Sequence, residues 1–242
     1  MSKKYSELRF EEWIEQNLLR NGYHHSFTHS NELESKYDKD YCLIEEDLIA
    51  FIQATQKEEY DRLYQQYDEG TPQHLMKVID RTISQRGIIE TLRKGISTRG
   101  CNFDLVYFKP KSSLNKDHIK LYEANRFVVV RQLHYSKRNR NSIDMVLFLN
   151  GIPIVTMELK NQLTGQNVKD SEKQYRKDRD PKEPLLKFQR CLVHFCVDNN
   201  QVSMTTQLRA DKTKFLPYNK GITNPEVKDD YRSEYLWNEI LV

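Results

Sequence analysis

The chain has 242 residues, enough for one large domain or two small ones with a real core. Aromatic residues make up 11 %, with 14 Tyr and 10 Phe, which excludes a disordered chain even though the apolar share is only 38 %. Glycine (8) and proline (7) are scarce. No two glycines are spaced as G-x-G, and Gly95 and Gly100 are followed by Cys101-Asn102 where a phosphate loop needs Lys-Ser/Thr, so the motifs of a nucleotide motor are absent from the sequence.

The net charge of +3 conceals an uneven distribution. Residues 31–70 carry 12 acids against 4 bases, residues 109–140 carry 9 bases against 2 acids, and residues 160–190 carry 9 bases against 5 acids. Such asymmetry suits a basic surface for a polyanion; ordinary solvated faces are the alternative. Cys42, Cys101, Cys191 and Cys196 form no C-x-x-C and no zinc-like spacing, and Cys191 and Cys196 lie in an apolar run, so buried, reduced thiols are expected. The N-terminus has no apolar signal core, and no apolar run approaches 18 residues. The expected location is the cytoplasm.

In chain order, residues 7–20 put Phe10, Trp13, Ile14, Leu18 and Leu19 on one helical face, with Asn21-Gly22 as the stop. Residues 45–67 repeat this pattern as a second helix. Thr71-Pro72 reads as a cap and first turn of a third, running to about Lys94 with Gly95 as its stop. The period then changes. Phe103–Phe108 reads as a strand, and Arg126–Tyr135 as a strongly β-branched one. Ser142–Asn150 and Ile152–Lys160 form a pair around Asn150-Gly151, a strong hairpin signal. Residues 165–179 read as a polar helix, 190–197 and 202–208 as a further strand pair, and a last helix is expected after Asn224-Pro225.

The chemistry sits in the hairpin. Its strands are apolar except at Asp144, Glu158 and Lys160. Strand side chains alternate, so Glu158 and Lys160 share a face while Met157 and Leu159 point into the core. A charged pair in an apolar strand is costly unless compensated, and a metal ion would compensate it. A two-residue turn at Asn150-Gly151 would pair Leu149 with Ile152 and send Asp144 and Glu158 to opposite faces. A three-residue loop with Gly151 left-handed, or a bulge, would bring them together, and one of these is expected. Two carboxylates can then hold Mg²⁺, with the Leu159 carbonyl as a further oxygen, and Lys160 can orient an attacking water. The alternative is a Glu–Lys ion pair at a strand end.

This D-x₁₃-E-x-K arrangement resembles the PD-(D/E)xK nuclease superfamily, with Ile143 in place of the proline. The stretch Arg86-Gly87…Phe108-Lys109-Pro110…Asn125-Arg126-Phe127…Arg131-Gln132…Asp144…Glu158-Leu159-Lys160-Asn161, with Phe10-Glu11 before it and Gln174 to Pro181 after it, is similar to the N-terminal nuclease domain of the restriction (R) subunit of type I restriction–modification enzymes. The resemblance implies an α/β fold with a restriction-endonuclease-like core, a mixed central sheet flanked by helices. It divides the chain into a mainly helical part (1–100), the nuclease core (101–221) and a C-terminal helix (222–242) leading to an absent motor. It implies a Mg²⁺-dependent DNA endonuclease with Asp144, Glu158 and Lys160 as the catalytic set and Asp144, Glu158 and Leu159 as metal ligands. A Q-x-x-x-Y motif in this family carries over Gln174, but position 178 is Asp, and Tyr175 is the nearest tyrosine. Glu11 is the candidate for an extra acid from the first helix; a solvated helix surface beside Glu12 is the alternative. DNA phosphates would meet Lys137, Arg138 and Arg140 beside Asp144, and Lys169, Lys173, Arg176 and Lys177 on the following helix. The implied partners are double-stranded DNA, the specificity and methyltransferase subunits, and ATP-driven translocase domains of a longer chain. A binding module with a nuclease-like fold and no cleavage in isolation is the second reading.

Overall fold

The computed structural model describes residues 3–26, 33–112, 114–228 and 230–242. In chain order the elements are α1 (Lys3–Arg20), α2 (Leu33–Lys36), β1 (Tyr37–Asp38), β2 (Leu43–Ile44), α3 (Glu45–Thr55), α4 (Lys57–Tyr67), α5 (Thr71–Lys94), β3 (Ile96–Thr98), β4 (Cys101–Phe103), α6 (Lys116–Glu123), β5 (Phe127–His134), β6 (Ser142–Leu149), β7 (Ile152–Leu159), α7 (Val168–Lys177), β8 (Val193–Val197), β9 (Val202–Thr205) and β10 (Leu216–Pro217). Six strands make a mixed sheet in the order β10-β9-β8-β7-β6-β5. Only β7 and β8 run parallel, and the connection between them carries α7.

All eight residues of β7 are buried, as a central strand covered on both faces requires. On one side Met145, Leu147, Met157, Leu159 and Phe195 meet Phe10, Ile14 and Leu18 of α1, Leu48 and Ile52 of α3, and Leu75 and Ile79 of α5 in one apolar cluster. On the other, Val128, Val130, Val146 and Phe148 pack with Tyr175 of α7 and Leu185 and Leu186. The helical first hundred residues and the sheet therefore share one core.

Several expected elements take a different form. The helix expected over 45–67 is two helices, broken at Gln56 (φ −143°, ψ 44°). The Gln56 amide explains the break: it accepts from Asp104 N–H at 2.6 Å and donates to Asp104 C=O at 2.9 Å. The strand expected over Phe103–Phe108 ends at Phe103, because the Gln56 side chain serves Asp104 and the Asn125 side chain serves Tyr107 N–H in place of a ladder. Gly70, rather than Thr71, occupies the cap position of α5, whose path is interrupted at Gly87 (φ 79°, ψ 164°), where Ile88 N–H turns to Gln189 C=O. The C-terminal helix reduces to a single π-type turn, Leu236–Ile240, with Leu236 and Trp237 buried.

The central hairpin decides where the chemistry lies. Asn150 (φ 52°) and Gly151 (φ 78°) form a two-residue turn pairing Leu149 with Ile152, so the three-residue loop is not the solution. The other expected solution, a bulge, is present. Phe148 pairs with Pro153, but Leu147 pairs with Val155, leaving Ile154 as the extra residue on β7. The carbonyl this frees accepts Leu192 N–H at 2.8 Å. Beyond the bulge Met145 faces Met157, and continuing that register sets Asp144 across from Glu158.

The turn itself is held from outside. The Asn150 side chain accepts from Arg126 N–H at 2.7 Å and donates to Leu105 C=O at 3.0 Å. Gly151 lies under the start of α3, where a Cβ would come within 2.5 Å of Ile44 O and 2.8 Å of Leu48 N. Gly151→Ala is therefore expected to cost about 2–4 kcal/mol, the left-handed backbone penalty plus the clash. A urea unfolding midpoint equal to that of the wild type would contradict this account of the turn.

Candidate active site

The bulged hairpin brings Asp144, Glu158 and Lys160 together at one end of the sheet. Asp144 Oδ2 accepts Leu159 N–H at 2.8 Å and lies 3.9 Å from Lys160 Nζ. In an extended strand the N–H and C=O of one residue leave on the same side, so the Leu159 carbonyl also points toward Asp144. The Leu159 side chain is buried in the opposite core. Glu158 is fully buried, and Lys160 retains 9 % of its surface.

Two residues outside the sequence expectation complete the constellation. Arg179 lies just beyond α7 and is itself buried. Its Nε donates to Glu158 Oε1 at 2.6 Å and its Nη2 to Ser142 C=O at 2.7 Å. Ser171 and Tyr175 lie one turn apart on α7 and Arg179 follows four residues later, just past its end, and this spacing is the available signal. Gln132 on β5 stands across from Asp144 in the β5–β6 register. Its Nε2 donates to Glu11 Oε1 at 2.8 Å and to Asp144 Oδ1 at 3.2 Å. Glu11 is accordingly buried and turned toward the sheet rather than lying on a solvated helix surface beside Glu12.

The electrostatics are unbalanced around Glu158. Burial, then the Asp144 charge, push its carboxyl well above the ordinary carboxylate range, against the pull of Arg179 and Lys160. Its Oε2 is buried with no hydrogen-bond partner among the described residues. A buried carboxylate oxygen without a donor, beside a second carboxylate, is chemistry that a hard cation would satisfy. The donor set Asp144, Glu158 and Leu159 C=O therefore fits Mg²⁺.

Gln174 does not join this group. It is half-buried on α7, and its side chain makes no hydrogen bond to Asp144, Glu158 or Lys160. Its neighbour Tyr175 faces the sheet instead, with its hydroxyl 2.7 Å from Thr156 Oγ1, which in turn lies 2.7 Å from His194 Nδ1.

The basic residues flank the site but are mostly engaged. Lys137 pairs with Asp40, Arg138 approaches Asp180 and Glu183, Lys169 and Arg176 share Glu172, and Lys177 pairs with Asp211. Arg176 also lies over the Phe215 ring. Arg140 and Lys173 are exposed and form no ion pair among the described residues. No described group of three or more His, Cys, Asp or Glu side chains clusters as a metal site on its own, and no described helix is long and apolar enough to cross a membrane.

A mixed six-stranded sheet flanked by helices places the chain in the α/β class and is consistent with a nuclease-like N-terminal domain. The family model for the type I restriction enzyme R protein N terminus matches residues 4–213, so the chain belongs to that family. Among curated proteins none matches the chain.

Arg179→Ala would strand the buried Glu158 carboxylate and is expected to destabilise the fold by about 3–5 kcal/mol, with part of the loss recovered in the Arg179→Ala/Glu158→Gln double variant. Additive losses in denaturant unfolding would contradict the direct pairing.

His194 gives a second expectation. Burial lowers its pKa from 6.5 to about 4. The unfolded chain takes up a proton near 6.5 and the folded chain only near 4, so the stability that neutral His194 contributes is complete above pH 6.5 and is lost as the pH falls toward 4. The loss should be about 3 kcal/mol and absent from His194→Gln. Parallel pH profiles of the two proteins in urea unfolding would refute it.

Proposed function

We propose that this domain is a Mg²⁺-dependent DNA endonuclease, the cleaving part of a type I restriction enzyme R subunit acting on unmodified foreign DNA. The observation that carries this reading is the fully buried Glu158, one oxygen held by Arg179 and the other without a hydrogen-bond partner among the described residues, beside Asp144 and Lys160. Mg²⁺, when bound, polarises the scissile phosphate and offsets the charge that builds on its oxygens. Asp144, Glu158 and the Leu159 carbonyl would hold it. Leu159 N–H fixes one oxygen of Asp144, and Arg179 fixes one oxygen of Glu158, so both carboxylates are oriented before any ligand arrives. Lys160, held 3.9 Å from Asp144, orients the attacking water and shares the phosphate's charge.

Arg140 and Lys173 supply free cations for DNA phosphates, and the paired Lys137, Arg138, Lys169, Arg176 and Lys177 would exchange their carboxylate partners for phosphate. Sequence recognition and modification belong to the specificity and methyltransferase subunits, and ATP is used by translocase domains of the longer R subunit, in the cytoplasm. One observation favours the second reading, a DNA- or subunit-binding module silent in isolation: Arg179 already occupies one oxygen of Glu158.

Plasmid nicking with Mg²⁺ separates the two. The wild type is expected to nick and Lys160→Ala to lose at least about 100-fold of that activity. Equal cleavage by both would refute the assigned site. Cleavage by neither would favour the binding module.

A further inference from the structure

Gln132 combines two independent features. Its backbone is left-handed (φ 50°) in the middle of a strand, a conformation that a non-glycine side chain keeps only where its surroundings impose it. Its exposed side chain also carries an amide group with both hydrogens committed and its oxygen engaged: Nε2 directs one hydrogen to Glu11 Oε1 and one to Asp144 Oδ1, and Oε1 accepts from Ser142 Oγ at 2.8 Å. The reversed amide would turn an oxygen toward two carboxylates, so the chemistry fixes the orientation.

We propose that Gln132 is a positioning residue that ties Glu11 of α1 to Asp144 of β6, making the first helix part of the phosphodiester-cleaving centre. This inference rests on the nuclease reading of the site. Two carboxylates that converge repel each other unless a donor lies between them, and the Gln132 amide is that donor. With Leu159 N–H on Oδ2 and Gln132 on Oδ1, the Asp144 carboxylate is held at both oxygens and still has lone pairs for a cation. A carboxylate already oriented loses less freedom when it takes up a ligand. The left-handed backbone is what aims the amide: the ordinary strand conformation would send this side chain elsewhere. Ser142, paired with His134 at the start of β6, anchors the amide from the other side.

Gln132→Gly removes the amide and relieves the backbone, while Ser142→Ala removes only the anchor. Calorimetric titration of the protein with Mn²⁺, without DNA, is expected to show a Kd about tenfold weaker in Gln132→Gly and about two- to threefold weaker in Ser142→Ala. Gln132→Gly should melt within a few degrees of the wild type, since a strain is lost along with the bonds. The plasmid assay should fall in parallel with metal affinity and recover in part at high Mg²⁺. An unchanged or tighter Mn²⁺ Kd in Gln132→Gly overturns the inference, as does a wild type in which Asp144→Ala leaves Mn²⁺ binding intact. A merely structural glutamine would lower the melting temperature and leave the Kd alone. Should the wild type bind Mn²⁺ through Asp144 and never nick DNA, the nuclease reading fails, and Gln132 is judged by its Kd alone.

Discussion

The arrangement of this domain turns on the extra residue that Ile154 inserts into β7. Side chains in a hairpin alternate strictly, so a two-residue turn at Asn150-Gly151 fixes which residues share a face all the way along both strands. Left uncorrected, that turn would place Asp144 and Glu158 on opposite sides of the sheet. The bulge shifts the register by one beyond Leu147, and everything at the far end of the hairpin follows from the shift. It also explains why the turn is so firmly held. A register set by one turn and one bulge is useful only if neither slips. The Asn150 side chain, the Gly151 contact with α3 and the Ile154 carbonyl bond to Leu192 each close off a slip.

Once the carboxylates share a face, their burial becomes the dominant energetic problem. Glu158 lies in a strand with no exposed residue, where an isolated charge is strongly disfavoured. The fold answers with Arg179 from beyond α7, which also grips the Ser142 carbonyl and so braces β6 against β7. The answer is deliberately partial in effect: Arg179 meets one oxygen and leaves the other. Among the described residues, three carboxyl groups (Glu11, Asp144, Glu158) and two cationic side chains (Lys160, Arg179) meet here. A hard cation and a phosphate group are complementary to that remainder, because each cancels charge the other brings.

How much of this is readable in the sequence depends on the range of the interactions. The hairpin, its bulge-or-loop requirement and the sharing of a face by Asp144, Glu158 and Lys160 follow from spacing and alternation within 17 residues. Strand β5 is legible from its β-branched run, and β8 and β9 as a pair around the polar turn Asp198–Gln201. The break at Gln56 and the short β4 are not, because they depend on the Gln56 side chain reaching 48 residues along the chain to the backbone of Asp104, and β4 also on Asn125 meeting Tyr107. Arg179 reads as one base among many in a positively charged stretch until α7 is laid on the sheet. The Glu11 carboxyl is 121 residues from Gln132, and its burial is decided by where α1 crosses β5, which no local pattern encodes.

That long reach bears on what the helical first hundred residues are for. A helix added merely to cover the sheet would need only its apolar stripe, and α1 has one in Phe10, Ile14 and Leu18. Glu11 sits immediately beside that stripe, at the margin where the helix face turns from core to site. Burying an acid there costs stability unless a donor meets it, and a strand residue held in an unfavourable backbone conformation supplies one. Two costs that offset each other are not what packing alone selects. They are what results when a carboxylate must stand at a fixed place beside Asp144, with the fold on both sides arranged to keep it there.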